Sequence, residues 1–312
     1  MFEFSIKLLG PRVFVSLIGL VGNILLIVFI IQTKSSHVKS FELFLLGLAA
    51  ANLEEIVIIN IYIVIVLRTS AGTWWCRLFK FLTIFGEMAS ILFTVVICIY
   101  RYQKLRDAKR VNLPICLDGV RAAWMLSGVC VTLSALIGLP IFAITLQGSV
   151  ENGTENSGGC PPDFFNCDKN NCPPLNLVYK YLFLLICYLL PLIIVTVSSC
   201  LIVIVLLNQE KAVIPVDDGC PDQHGKKIHS HSHSHSHNLH RSTVAVVAAM
   251  WLFQVDWTLY LICQWTLSPN EIPFWLEIEF FISTSYTSIS PYVYGIGNHL
   301  FSIKNFKALF KL

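Results

Sequence analysis

The stretch from residue 76 to residue 106 constrains the fold of this chain more than any other. Its middle is apolar apart from Lys80 and Glu87, and it is long enough to cross a bilayer. Cys76 and Arg101 lie 25 residues apart, which at about 1.5 Å per residue places them at opposite membrane faces. The stretch therefore predicts a transmembrane helix with a disulfide at one end and an inner partner at the other.

The composition extends this prediction to the whole chain. With 55% hydrophobic residues, 13% charged residues and a mean hydropathy of +0.68, the 312 residues cannot hide their apolar surface in a water-soluble globule. We predict an all-α membrane protein embedded in a lipid bilayer, with a single seven-helix domain over residues 1–312. The predicted spans cover about 11–32, 41–67, 76–106, 119–146, 176–208, 242–267 and 273–298.

The positive charges predict the orientation of these spans. If the N-terminus is outside and the chain crosses seven times, fifteen of the 22 Lys and Arg residues fall on the inner side. Basic residues are enriched on the inner side of membrane proteins, so this excess predicts that the N-terminus is outside and the C-terminus inside. Residues 1–10 are too short and too poor in basic residues for a cleaved signal peptide. The Asn152-Gly153-Thr154 tripeptide in the polar loop 147–174 agrees with this orientation, because a glycosylation acceptor at Asn152 is meaningful only outside.

Two segments on the inner side have distinctive compositions. The loop 209–241 contains the repeat HSHSHSHSH at 229–237, which we expect to be disordered and to chelate metal only incidentally. The tail 299–311 alternates apolar residues with lysines, which predicts a short amphipathic helix on the inner leaflet.

The ordered set of motifs along the chain resembles the rhodopsin-like (class A) G-protein-coupled receptors. Arg101 stands between two tyrosines at the inner end of span three, where that family has its DRY box. The other matching marks are Gly22-Asn23, LAAAN at 48–52, Cys76, Trp124, Pro191 and Ser290-Pro291-Tyr292-Val293-Tyr294. The resemblance implies a receptor that passes an outer signal to a heterotrimeric G protein inside.

The departures from that pattern resemble a narrower group. Tyr100 replaces the acid before the arginine, Ser290 replaces the asparagine before the proline, and span six has no proline. Together with RYQKLRDA at 101–108 and SPYVYGIGN at 290–298, these resemble the vomeronasal type-1 receptors and the fish olfactory receptors related to class A. The resemblance implies an odorant or pheromone receptor in the plasma membrane of sensory neurons, with an inhibitory-class G protein.

The resemblance also implies which residues switch the receptor. Arg101 is expected to meet the G protein, with Tyr100, Tyr102, Pro291 and Tyr294 as the remaining switch residues. Neither Tyr100 nor the start of span six offers a carboxylate, so we predict that hydroxyls or backbone carbonyls hold Arg101.

A polar core is expected where such receptors hold a sodium ion. Asn23 must point into the bundle because a buried amide in lipid needs a partner. Asn52 and Ser290 are the neutral residues at the matching positions, so we expect sodium to bind weakly or not at all, although Glu54 and Glu55 lie close enough to compensate.

Glu87 is the most informative residue for ligand recognition. It lies eleven residues, or about three turns, inward from Cys76, and an ionisable group at that depth is expensive unless it is paired or hydrated. One hypothesis is an acidic pocket for a cationic or zwitterionic odorant; the alternatives are that Glu87 only packs helices or is linked through water to Lys80. The predicted ligand-binding residues are Lys80, Thr83, Glu87, Asp256, Trp257, Tyr260, Gln264, Glu279 and Tyr286.

The resemblance implies that Cys76 pairs with the long outer loop. Its predicted partner is Cys167 or Cys172, and the four cysteines expected outside, which include Cys160, allow three pairings.

Two other function classes fit the sequence less well than a receptor. The histidine repeat is similar to cytosolic loops of zinc transporters, but no histidine falls in any predicted span, so the transport path would need carboxylates alone. An enzyme is not expected, since no serine at membrane depth has a histidine to activate it. We therefore predict no catalytic site, no metal site, no cofactor and no nucleic-acid partner.

Overall fold

The structure is a computed structural model, and within the part of the chain that it describes, the regular structure is helical and contains no strand. The described residues are 2–32, 39–68, 73–107, 119–142, 174–213, 229–266, 275–303, 305 and 307.

Seven long helices follow the seven predicted spans. We number them α1 to α7 in chain order, treating the three consecutive segments of residues 174–213 as α5. Their bounds are Phe2–Gln32 (α1), Ser40–Arg68 (α2), Thr73–Asp107 (α3), Val120–Gly138 (α4), Pro174–Phe183, Leu184–Leu189 and Leu190–Val213 (α5), His229–Thr266 (α6) and Trp275–Gly297 (α7). The predicted seven-helix bundle is therefore confirmed.

The α3 helix occupies the centre of the bundle. It packs against α2, α4, α5 and α6, while α1 packs against α2 and α7, and α7 closes the ring by packing against α6. This position explains why α3 carries so many buried side chains along its whole length. We name the two ends of the bundle the Cys76 end and the Arg101 end, after the α3 residues that lie there.

Six of the helices in the described chain are long and apolar enough to cross a membrane, and α7 is not among them. The reason is its composition: α7 carries Glu277, Glu279 and a run of hydroxyl side chains. Most of these hydroxyls are buried against neighbouring helices, so this helix is polar toward the interior of the bundle. The buried ones are Ser283, Thr284, Thr287, Ser288 and Ser290.

The α5 helix contains an irregularity that periodicity does not predict. Residues Leu184–Leu189 form one π-helical segment, which ends shortly before Pro191. Proline removes a backbone donor and crowds the preceding turn, and π-helical turns are a common way to accommodate such a disturbance. The kink expected at Pro191 thus coincides with a local change of helical register.

The segment between α5 and α6 differs from the prediction. The sequence placed 209–241 in a disordered loop, but α5 continues to Val213 and α6 begins at His229. Extending an existing helix adds one hydrogen bond per residue without a new nucleation cost, and residues 229–241 contain neither proline nor glycine to stop it. Residues 214–228 lie outside the described chain.

The end of α7 also differs in detail. Residues 298–301 form a turn, in which His299 has a left-handed conformation with φ of 58°, where the amphipathic helix 299–311 was expected to begin. Beyond this turn Ile303, Asn305 and Lys307 are helical, and the rest of the predicted helix lies outside the described residues.

The loop predicted to carry the glycan and the outer disulfide lies outside the described residues, with Asn152, Cys160, Cys167 and Cys172. Cys76 itself is buried and disulfide-bonded. Its pairing with Cys167 or Cys172 stays a prediction.

Candidate functional site

Glu87 lies in the interior of the bundle, as the sequence predicted from its depth on α3. Its side chain is 7% exposed, and its Oε1 accepts a hydrogen bond of 3.1 Å from the hydroxyl of Tyr188. Within the described residues Glu87 has no ion pair. A buried carboxylate is therefore held by a neutral donor on α5.

Tyr188, which contacts this carboxylate, belongs to a group of three aromatic rings. Tyr188 lies 5.0 Å from Trp257 and 4.9 Å from Tyr260, measured between ring centroids, and the last two rings are 5.4 Å apart. All three rings are buried, and the indole N–H of Trp257 has no hydrogen-bond partner within the described chain. We call Glu87, Tyr188, Trp257 and Tyr260 the Glu87 cluster.

Tyr188 is the member of this cluster that sequence reasoning missed. It lies in the π-helical segment Leu184–Leu189, where the directions of successive side chains do not follow the 3.6-residue period of an α-helix. The proline three residues later was the one available signal of such a change.

Lys80 makes a different contact from the water-bridged link to Glu87 that the sequence offered as an alternative. Its Nζ lies 3.8 Å from Oε1 of Glu279 on α7, and both side chains are about one-fifth exposed, at 18% and 22%. The ion pair therefore joins α3 to α7 across the bundle, whereas the expected link ran along α3.

The remaining predicted ligand residues divide into two groups. Gln264 belongs with the Glu87 cluster, because its Nε2 donates to the hydroxyl of Tyr260 at 3.2 Å. Thr83 is bonded to the carbonyl of Phe79 in its own helix at 2.9 Å. It makes no polar contact with the cluster that the structure describes.

Asp256 and Tyr286 link helices at other points. The hydroxyl of Ser285 donates to Oδ2 of Asp256 at 2.7 Å, which joins α7 to α6. Tyr286 and Thr94 are hydrogen-bonded through their hydroxyls at 2.7 Å, which joins α7 to α3. These residues connect helices, and the structure does not bring them into contact with Glu87.

The predicted polar core is assembled from several helices. Nδ2 of Asn52 lies 3.4 Å from Oδ1 of Asn23 and 3.3 Å from Oγ of Ser290, while the hydroxyl of Ser90 donates to Oδ1 of Asn52 at 2.7 Å. Asn23 also donates to the carbonyl of Thr287 at 2.9 Å. Ser90 and Thr287 were not predicted as members.

This core presents amide hydrogens where a sodium ion would need oxygen ligands. Nδ2 of Asn52 points toward both Asn23 and Ser290, so the N–H groups of this amide occupy the space between the three side chains. A sodium ion there would need oxygen atoms instead. The nearby Glu54 and Glu55 do not join the network, since both oxygens of Glu54 and Oε2 of Glu55 have no hydrogen-bond partner in the described chain.

Arg101 is held at the other end of the bundle. Its Nη2 donates to Oγ of Ser242 on α6 at 2.6 Å and to Oδ1 of Asn298 at 2.9 Å, and its guanidinium lies 3.5 Å from the centre of the Phe41 ring. The contact with Ser242 is the hydroxyl restraint that the sequence predicted. The contact with Asn298 was not predicted, because it depends on the turn that ends α7.

The other predicted switch residues lie on α3 and α7. Tyr100 is fully buried, packs on Phe41 and Phe44, and its hydroxyl accepts from Nζ of Lys104 at 3.2 Å. Tyr102 is half-buried. Pro291 and Tyr294 are buried in α7, and the carbonyl of Tyr294 accepts from Nδ2 of Asn298 at 2.8 Å.

A cavity of about 520 Å³ opens beside Arg101. It is lined by Lys39, Phe41, Glu42, Leu45, Tyr100, Arg101, Lys104, Ser242, Gly297, Asn298, His299 and Leu300. The lining comes from α2, α3, α6 and the end of α7, so any change in the packing of α6 would change its size.

Comparison with known proteins agrees with this geometry. Residues 22–294 match the family described as 7 transmembrane receptor (rhodopsin family). The chain is also similar to a gonadotropin-releasing hormone receptor of Octopus vulgaris, with 26% identity over 301 residues that cover 90% of this chain and 68% of that protein. Neither similarity supports the metal-transporter alternative.

Proposed function

Because the chain belongs to the rhodopsin family of seven-transmembrane receptors, we propose that it is a chemosensory receptor in which a small organic cation binds at the Glu87 cluster. A receptor of this family, rather than an enzyme, acts through a ligand and a heterotrimeric G protein. The chemosensory role rests on the vomeronasal-type motifs around Arg101 and Pro291. The same motifs favour an inhibitory-class G protein and a location in the plasma membrane of sensory neurons.

The observation that carries the ligand class is the combination of charge and rings in the Glu87 cluster. A carboxylate without an ion pair in the described chain supplies negative charge, and the faces of tyrosine and tryptophan attract cations. Lys80, a nearby cation on α3, has Glu279 as an ionic partner. An ammonium group of a ligand would therefore find a carboxylate without an ion pair beside Tyr188 and the rings that pack on it.

The contacts of Arg101 support a mechanism for the response. In the structure Arg101 ties α3 to α6 through Ser242 and to the end of α7 through Asn298. Trp257 and Tyr260 lie on the same helix as Ser242, toward the other end of the bundle. A ligand that binds one arrangement of α6 more tightly than another shifts the equilibrium toward the arrangement that it prefers. If α6 lies farther from α3 in that arrangement, the G protein gains access to Arg101.

The test is a cell-based signalling assay with a panel of amines, amino acids, organic acids and steroid-like acids. We expect cations to activate the wild type and to lose potency by at least about tenfold in Glu87→Gln, since the charged contact is then removed. Glu277→Gln is the matched control, because it removes the same charge from α7 without touching the Glu87 cluster. Equal loss in both variants, or activation by anions alone, would refute the cationic pocket.

A peptide ligand is the second candidate, and the similarity to a gonadotropin-releasing hormone receptor favours it. The same assay separates the two when peptides of that hormone type are added to the panel. Activation by such a peptide, with no response to small cations, would replace the chemosensory role while leaving the receptor class intact.

A further inference from the structure

We propose that the cavity beside Arg101 binds a phosphate group, and that this anion stabilises the closed arrangement of the bundle, in which Arg101 contacts Ser242. Fourteen residues of α3, or about 21 Å, separate Arg101 from Glu87, so the proposal does not depend on what binds at the Glu87 cluster. The cavity volume of about 520 Å³ lies within the range of about 300–1,000 Å³ that is usual for small-molecule sites.

Positive charge predominates in the lining of this cavity. Lys39, Arg101 and Lys104 line it, whereas Glu42 is the one carboxylate among the lining residues that the structure describes. That carboxylate accepts a hydrogen bond of 3.3 Å from the backbone N–H of Lys39 at the start of α2. A cleft lined by one sign of charge concentrates ions of the opposite sign. The cavity therefore favours an anion.

Arg101 is the residue that points most directly to a ligand. It is 6% exposed, and its two hydrogen-bond acceptors, Oγ of Ser242 and Oδ1 of Asn298, are both neutral. Its Nε–H is buried and has no hydrogen-bond partner within the described chain. A buried charge is costly unless it is paired, and the planar guanidinium binds phosphate through charge-assisted hydrogen bonds. A phosphate group in the cavity would supply the missing counter-charge.

The start of α2 adds a second source of positive potential. This helix begins at Ser40, and Phe41 and Glu42 in its first turn line the cavity. The N-terminus of a helix carries a partial positive charge and free N–H groups, which together favour phosphate. Donors thus approach the cavity from α2 and from α3. A phosphate group has several acceptor oxygens and can meet donors on two sides, whereas chloride is a single point charge.

The position of the cavity predicts an effect on signalling. Its lining comes from α2, α3, α6 and the turn after α7, so an anion that contacts these elements together favours the arrangement that brings them together. The Arg101 end is also the end that is predicted to meet the G protein. We therefore expect bound phosphate to lower the rate of ligand-free nucleotide exchange.

The experiment follows the melting temperature of the full-length receptor in phosphatidylcholine nanodiscs as inorganic phosphate replaces chloride at constant ionic strength. Lys39→Gln/Lys104→Gln removes two charges from the lining. Arg106→Gln/Arg121→Gln is the matched control, because it removes two charges from the same end of the bundle, neither of which lines the cavity. Lys39→Arg/Lys104→Arg keeps the lining charges and shows whether these positions tolerate substitution.

Two further nanodisc compositions distinguish the possible sources of the phosphate group. One contains phosphatidylinositol 4-phosphate and the other contains phosphatidylserine at the same total charge, both without dissolved phosphate. A rise in melting temperature with dissolved phosphate identifies small cytosolic phosphate compounds as the ligand class. A rise with the phosphoinositide that phosphatidylserine does not reproduce identifies a lipid head group. A rise in neither case would overturn the proposal.

We expect the anion to bind Lys39→Gln/Lys104→Gln at least about tenfold more weakly than the wild type, since two charged contacts are lost. Its affinity for Arg106→Gln/Arg121→Gln and for Lys39→Arg/Lys104→Arg should stay within about threefold. Equal weakening in the lining variant and the control would mean that the anion senses only the overall charge, and would overturn the proposal.

The effect on signalling is tested by ligand-free nucleotide exchange. The anion that raises the melting temperature should lower exchange by the wild type by at least about threefold and should have little effect on exchange by Lys39→Gln/Lys104→Gln. An equal reduction in both would place the action of the anion on the G protein and would refute a role for the cavity.

Discussion

The hydrogen bond between Arg101 and Ser242 gives the sharpest prediction about signalling. Ser242→Ala removes the hydroxyl that accepts from Nη2 of Arg101 at 2.6 Å and donates to Oδ1 of Asn298 at 2.5 Å, while the contacts of Arg101 itself with Asn298 and with the Phe41 ring remain. A hydrogen bond to a charged group contributes about 1.5–3 kcal/mol. Since each 1.4 kcal/mol is a factor of about ten, the equilibrium between the closed arrangement and an open one should shift by roughly ten- to a hundredfold.

The effect on activity follows from that shift. If the open arrangement accounts for about 1% of ligand-free receptors, Ser242→Ala should raise it to between about 10% and 50%. The assay is ligand-free nucleotide exchange on a G protein by membranes with matched amounts of receptor. We expect a clear rise in basal exchange for Ser242→Ala and near-normal exchange for Ser242→Thr, which restores a hydroxyl.

Ser134→Ala is the matched control. Ser134 is fully buried, but its hydroxyl donates to the carbonyl of Cys130 in the same helix, so its loss should leave basal exchange unchanged. If Ser242→Ala and Ser134→Ala both behave as the wild type, the hydrogen bond does not restrain the receptor and the reasoning is refuted.

Three further changes test other contacts. Gly297→Ala places a methyl group where α6 packs against α7, so we expect raised basal exchange, whereas Gly128→Ala, with open space around it, should change nothing; equal basal exchange in both would contradict this. Asn52→Ala removes a buried amide with three side-chain partners and should cost about 1–3 kcal/mol, seen as a lower melting temperature of the purified receptor; an unchanged melting temperature would argue against the polar core. Tyr188→Phe keeps the ring but removes the hydroxyl that donates to Glu87. We expect a roughly three- to tenfold change in the potency of cations, with basal exchange unaltered. Unchanged potency would show that the Tyr188 hydroxyl takes no part in ligand binding.

The sequence predicted the parts of the fold that depend on hydropathy and helical spacing. Apolar runs of about 20 residues located the helices, because a bilayer allows few other structures. Asn23 was expected to point into the bundle because a buried amide needs a partner, while Asn52 and Ser290 were placed in the polar core by the resemblance to the receptor family. The structure brings the three together.

The contacts that sequence reasoning missed depend on local departures from the ideal helix. Tyr188 reaches Glu87 from a π-helical segment, whose register cannot be read from a 3.6-residue period. Asn298 reaches Arg101 from a turn that includes the left-handed residue His299. Lys80 pairs with a residue on another helix, and the choice between Glu87 and Glu279 required knowing that Glu279 on α7 lies within reach of Lys80.

A cation bound at Glu87 is proposed to drive G-protein activation, and the most direct measurement of this uses purified components. The receptor is reconstituted in lipid nanodiscs with heterotrimeric G proteins of each main class, and GTP-analogue binding is followed as the active cation is added. We expect ligand-dependent exchange on at least one heterotrimer, the inhibitory class first, with loss of that response in Glu87→Gln and retention in Glu277→Gln. Ligand-dependent exchange that persists undiminished in Glu87→Gln, or no exchange on any heterotrimer, would contradict this mechanism.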